Sequence, residues 1–148
     1  MANLTGTSTA EIDAPIERVW ELVEDVEKAP QWQGGLKDIH SLERDAEGRA
    51  VLVESYSDGK VRTIKSNVRF TYDGPTRLSW RQEKGDLKSV DGSWELEDLG
   101  ARRTRATYSL DVDLGRMLGM LIRGPMVDVL RAMLVNARAG ELKKAVEA

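Results

Sequence analysis

The sequence has no cysteine and a single histidine, His40. The missing thiols exclude disulfides, thiolate metal sites, iron–sulfur clusters and cysteine nucleophiles. One imidazole excludes a multi-histidine metal centre. Aromatic residues are scarce at 5%, with a lone phenylalanine, Phe70, and only four prolines. No apolar run approaches the roughly 18 residues that cross a bilayer. Residues 1–7, Met-Ala-Asn-Leu-Thr-Gly-Thr, lack the basic and apolar pattern of a secretory leader. A soluble, cytoplasmic protein is the expectation. There is no basic excess either: 22 Lys and Arg stand against 25 Asp and Glu, a net charge of −3. Nucleic-acid binders carry a basic patch, so this balance speaks against that class.

What is present suits one globular domain spanning 1–148. Hydrophobic residues make up 41% and charged residues 32% of the 148, enough for a core that needs no staples. Residues 6–13 read as a first strand, rich in Thr and Ile. Pro15 then opens a helix running to about Val26, with Ile16, Val19, Trp20 and Val23 on one stripe and Glu17, Arg18, Glu21 and Glu24 opposite. Pro30 and Gly34-Gly35 bracket a second short turn around Trp32. Turn residues at 45–48, 58–59, 73–75, 85–86 and 100 then separate strands near 36–44, 50–57, 60–72, 77–84, 87–98 and 103–113. Short gaps make sequential neighbours antiparallel, seven strands in all.

Alternation sets one covered face and one wet face. Ile64, Val68 and Phe70 share the covered parity with Leu78, Trp80 and Gln82, with Val90, Trp94 and Leu96, and with Ala106, Tyr108, Leu110 and Val112. The spacing Leu36, Ile39, Leu42 breaks parity and predicts a bulge. For 50–57 either parity fits. A helix over 125–147, about 34 Å long at 1.5 Å per residue, would cover the dry face through Met126, Leu130, Met133 and Ala137, with Val127, Leu134 and Leu142 beside them. Gly140 within it predicts a kink or a close approach. The order is α+β, with the helices on one face of the sheet.

The chain resembles the START-like (SRPBCC) superfamily, in its bacterial polyketide cyclase/dehydrase-like branch. The stretches that carry the likeness are 11–25 (Glu-Ile-Asp-Ala-Pro-Ile-Glu-Arg-Val-Trp-Glu-Leu-Val-Glu-Asp), 29–39, Leu78-Ser79-Trp80, 91–96 (Asp-Gly-Ser-Trp-Glu-Leu), 104–113 and 141–147. They span nearly the whole chain, and their order and spacing are the specific part. The resemblance implies a helix-grip fold: a curved seven-stranded antiparallel sheet around a long C-terminal helix, with two short helices after the first strand. It also implies a cavity for a lipid, polyketide or similar molecule, and no cofactor or metal. Many relatives have a proline-rich loop before the last helix; here 115–124 has no proline until Pro125.

The candidate walls of such a cavity are Phe70, Trp80, Trp94, Tyr108, Met126, Leu130 and Met133, set against the plain alternative that they fill a solid core. Ser66 and Gln82, polar among apolar neighbours, are candidates to orient a polar end of the ligand, or else they bond to each other or to a neighbour. Four of five methionines fall in 117–133, so 115–124 is either a lid or an ordinary buried helix start, and 117–122 could touch a membrane or a protein partner transiently. For proton transfer only Tyr108 and His40 present themselves, and His40 has no acid or nucleophile at a telling spacing. Asp91, Glu95, Asp111 and Asp113 fall on the wet parity, which disfavours paired-carboxylate chemistry. The leading expectation is binding or carriage of a hydrophobic small molecule. A polyketide aromatase/cyclase and a ligand-gated interaction module are the alternatives.

Overall fold

The computed structural model describes residues 3–148. The strands are β1 (Asn3–Ile12), β2 (Leu36–Arg44), β3 (Ala50–Asp58), β4 (Thr63–Asp73), β5 (Arg77–Gly85), β6 (Ser89–Gly100) and β7 (Arg103–Asp113). They form one antiparallel sheet in the order β1-β7-β6-β5-β4-β3-β2, so β1 and β2 are its edges. Between them in sequence lie α1 (Ile16–Glu24) and a 3-10 helix (Val26–Gln31). After β7 come α2 (Gly115–Leu121), α3 (Pro125–Arg131), a π turn (Ala132–Asn136) and α4 (Arg138–Glu147). This is the helix-grip arrangement, with α3, the π turn and α4 laid against the sheet.

Alternation predicts the covered face correctly. Val68, Leu78, Trp94, Leu96, Ala106, Tyr108 and Val112 are all buried. The parity of β3 is settled by Val53, which is buried, while Glu54 and Tyr56 face outward and bond to each other. The predicted bulge in β2 is present as register shifts at Leu36/Asp38 and Ser41/Glu43. On the outer face the wet-parity charges pair across strands: Arg77 with Glu95, Arg81 with Asp91 at 2.9 Å, Arg69 with Glu83.

Several boundaries differ from the sequence expectation. β1 starts at Asn3 rather than Gly6. β4 starts at Thr63 rather than Lys60, because Lys60 takes φ +68° and its N–H donates to Asp58 Oδ1 at 2.7 Å, closing a turn. α1 stops at Glu24, and the 3-10 helix continues through Pro30. The last helix is not continuous. Ala137 N donates to Ala132 O at 3.1 Å, five residues back. The interruption therefore lies at 132–136 and not at Gly140, where an added Cβ would meet nothing.

That π turn changes which side chains face the sheet. An uninterrupted helix from Met126 through Leu130 and Met133 brings Ala137 inward. One extra residue in the turn rotates everything after it by about one position. Ala137 is accordingly exposed, and Arg138, Ala139, Leu142 and Val146 are buried. Within the turn, Val135 packs close over Gly6 of β1, where a Cβ would stand 3.0 Å from Val135 Cγ1.

Candidate functional site

Between the concave sheet and the C-terminal helix lies a cavity of about 170 Å³. Its wall is mostly apolar: Val53, Ile64 and Val68 on one side, Leu110 and Val112 on another, Leu130 and Leu134 from the helix. The 3-10 helix and the segment after it close a further side with Val26, Ala29 and Gln33.

Phe70, Trp80, Tyr108 and Trp94 form a connected aromatic row along this wall, and Trp32 packs behind Trp94. Ring centroids are 5.8 Å apart for Phe70 and Trp80, 5.6 Å for Trp80 and Tyr108, 4.9 Å for Trp94 and Tyr108 and 6.2 Å for Trp32 and Trp94. The register builds the row, since Phe70 faces Trp80 across β4–β5 and Trp94 faces Tyr108 across β6–β7. Such tilted pairs contribute about 0.5–1.5 kcal/mol each beyond the area they bury.

Of the residues predicted to meet a ligand, Ser66, Phe70, Trp80, Trp94, Tyr108 and Leu130 line the cavity. Gln82, Met126 and Met133 do not. Ser66 Oγ donates to Gln82 Oε1 at 2.7 Å, and Gln82 Nε2 donates to the Leu87 carbonyl at 2.8 Å, so this pair satisfies itself. Met126 and Met133 pack partly buried against the core, and Met133 sits beside Gly35. His40 is on the other side of the sheet. Its side chain is 57% exposed, its Nε2 is 3.0 Å from Asp38 Oδ2, and its ring meets Tyr56 edge-on. Parity at the bulge turns it outward, away from Tyr108.

Sequence reasoning missed Arg138. It is 3% exposed and forms part of the cavity wall. Its Nη1 donates to the Gly34 carbonyl at 2.9 Å and to Glu141 Oε1 at 2.7 Å. Glu141 Oε2 in turn accepts the Gly34 N–H at 2.9 Å. Both backbone groups of Gly34 are thus held by α4, which latches the segment before β2 onto the helix. Arg138 Nε is buried with no hydrogen-bond partner among the described residues. The guanidinium also stands 5.7 Å from the centre of the Tyr108 ring. Burial pushes the Tyr108 phenol above its ordinary pKa, and the nearby Arg138 charge opposes that rise only in part. The phenol therefore stays protonated near neutral pH. The signal for Arg138 in the sequence is a charge four residues after Leu134, but the π turn that brings it inward leaves no comparable mark.

Within the segment 115–124, Leu118 and Ile122 are buried, while Met117 is 72% and Met120 64% exposed. Among the described residues, no helix is long and apolar enough to cross a membrane, and no three acidic or histidine side chains gather as a metal site.

A family model described as polyketide cyclase/dehydrase and lipid transport matches residues 12–138. No curated protein sequence matches the chain. Among solved structures, a START superfamily protein from Mycobacterium smegmatis superposes with a TM-score of 0.81 at 23% identity, covering 97% of each chain. A protein from Thermus thermophilus gives 0.77 at 21% identity, over 96% of this chain and 97% of that one. The Zhui aromatase/cyclase from a Streptomyces species gives 0.67 at 21% identity, over 97% of this chain and 84% of that one. At these identities the likeness is one of fold.

Proposed function

Since this chain belongs to the polyketide cyclase/dehydrase and lipid transport family, we propose that it binds and carries a hydrophobic small molecule between the sheet and the C-terminal helix. The whole of 1–148 is read as one START-like domain acting in the cytoplasm. The observation that carries this reading is the cavity itself, walled by Phe70, Trp80, Trp94 and Tyr108. Apolar burial at about 25 cal/mol per Å² would supply most of the affinity. At about 170 Å³ the space is below the roughly 300–1,000 Å³ of drug-sized sites. It fits a small molecule as it stands. The exposed Met117 and Met120 beside Arg116 and Arg123 favour a further role for α2, touching a membrane or protein partner when the ligand passes.

An aromatase or cyclase activity is the second reading. What favours it is the pairing of Tyr108 with Arg138 on the cavity wall, two donors beside an apolar chamber.

Native mass spectrometry of the chain purified from producing cells tests the first reading. The expected result is a bound apolar molecule in one-to-one ratio. Protein that is repeatedly empty, and that takes up no apolar probe afterwards, argues against carriage.

A further inference from the structure

The polar end of the cavity specifies the ligand more closely than its apolar walls do. This step rests on the carriage reading. A guanidinium has five N–H donors. Two of them leave Arg138 Nη1 for Gly34 O and Glu141 Oε1. Nε is buried with no partner among the described residues. A donor of a side chain that is 3% exposed is therefore left with an unmade hydrogen bond. Leaving such donors unmet is costly, more so for a charged group. Among the other polar groups on this wall, the Tyr108 hydroxyl neighbours the guanidinium without satisfying Nε. Ser55 Oγ donates to the Ser66 carbonyl at 3.1 Å, and Ser66 and Gln82 bond to each other.

Charge decides what kind of acceptor belongs there. Arg138 is already balanced by Glu141 at 2.7 Å. A carboxylate added beside the pair would leave a net negative charge in a cavity walled by aromatic rings, where desolvation opposes it. A neutral oxygen would meet the free Nε donor and leave the pair balanced.

We propose that the cavity binds a neutral apolar molecule bearing a carbonyl group, whose oxygen accepts from Arg138 with the Tyr108 hydroxyl beside it. A ketone, an ester or an amide shares this chemistry; a fatty acid in its ionised form does not. The π turn at 132–136 is what makes this possible, because without its extra residue the position facing the cavity would belong to Ala137.

Three probes of similar size separate the outcomes: methyl hexyl ketone, octanoate and butylbenzene. Binding near neutral pH is followed through the tryptophan fluorescence of the wall. In the unaltered protein the ketone should bind more tightly than octanoate. Arg138→Met should weaken the ketone roughly tenfold or more and leave butylbenzene unchanged. Glu141→Gln keeps the shape and removes the balancing charge, so it should strengthen octanoate by at least roughly tenfold. Octanoate binding as tightly as the ketone in the unaltered protein overturns the inference, as does equal loss of ketone and butylbenzene in Arg138→Met. If Arg138→Met does not fold, the ranking in the unaltered protein and the Glu141→Gln response decide alone. Binding of butylbenzene with no preference among the other two removes the carbonyl anchor and leaves carriage standing. If none of the three binds, carriage itself falls and takes the inference with it.

Discussion

The indole of Trp80 occupies the space that a side chain at Gly92 would need. The two residues face each other across β5 and β6, and a Cβ built on Gly92 would overlap the ring at Cε2, Nε1 and Cζ2. Glycine at position 92 is thus a requirement of the aromatic wall, since it lets the largest side chain of β5 lie over the neighbouring strand.

Gly92→Ala should therefore push Trp80 off the sheet and into the cavity. Overpacking of this kind costs about 1–3 kcal/mol. The expected outcome is a lower melting temperature together with weaker uptake of a neutral apolar dye such as Nile red. A variant that melts and binds like the parent would show that the indole has free room elsewhere.

Trp80 and Trp94 should separate stability from binding. Trp94 is 2% exposed and packed between Trp32 and Tyr108, so Trp94→Ala should cost about 3–5 kcal/mol. Trp80 is only partly buried and faces the cavity. Trp80→Ala should cost less stability and more dye affinity. Thermal melts and dye titrations of the two variants side by side give the comparison, and a reversed order would make Trp80 a plain core residue.

Stability should decline at both ends of the pH scale. Burial raises the pKa of Tyr108 and of Tyr72 above the ordinary value near 10. Each contributes stability that is complete below that value and is lost as pH climbs from it toward the folded-state pKa. Hydrogen bonds from Arg44, from Arg69 and from the Asp13 N–H hold Glu27, Glu83 and Glu147 below the ordinary carboxylate value. Their share is present above about pH 4 and is lost as pH falls below it. Denaturant melts across pH should show a plateau between these limits, and Tyr108→Phe should soften the alkaline decline. An alkaline limb identical in that variant would mean Tyr108 does not contribute to it.

The sheet was legible because its signals are local. Turn residues stand between strands, and Val68, Leu78, Trp94 and Tyr108 keep strict two-residue parity with their neighbours. The bulge in β2 was legible from its broken spacing. The polar end of the cavity was not. Ser66 and Gln82 look unsatisfied in a strand diagram, yet they meet across β4 and β5 and use up each other's bonds. Arg138 looks solvated on an α-helical wheel, and only a backbone hydrogen bond five residues long turns it inward. Met126 and Met133 follow the helical period correctly, but the period says only that they pack inward, not that they reach the void.

The two edge strands end the sheet in different ways. Along β1, Arg131 donates to the carbonyls of Asn3 and Thr5, and Lys143 to that of Glu11, so cations of the C-terminal helix occupy the rim that a foreign strand would seek. Along β2, register slips and the charges of Lys37, Asp38, Glu43 and Arg44 interrupt any straight template. Open sheets that leave a bare rim are prone to strand addition and fibril growth. This chain covers both rims with charged side chains, so neither edge of the open sheet offers a bare template for strand addition.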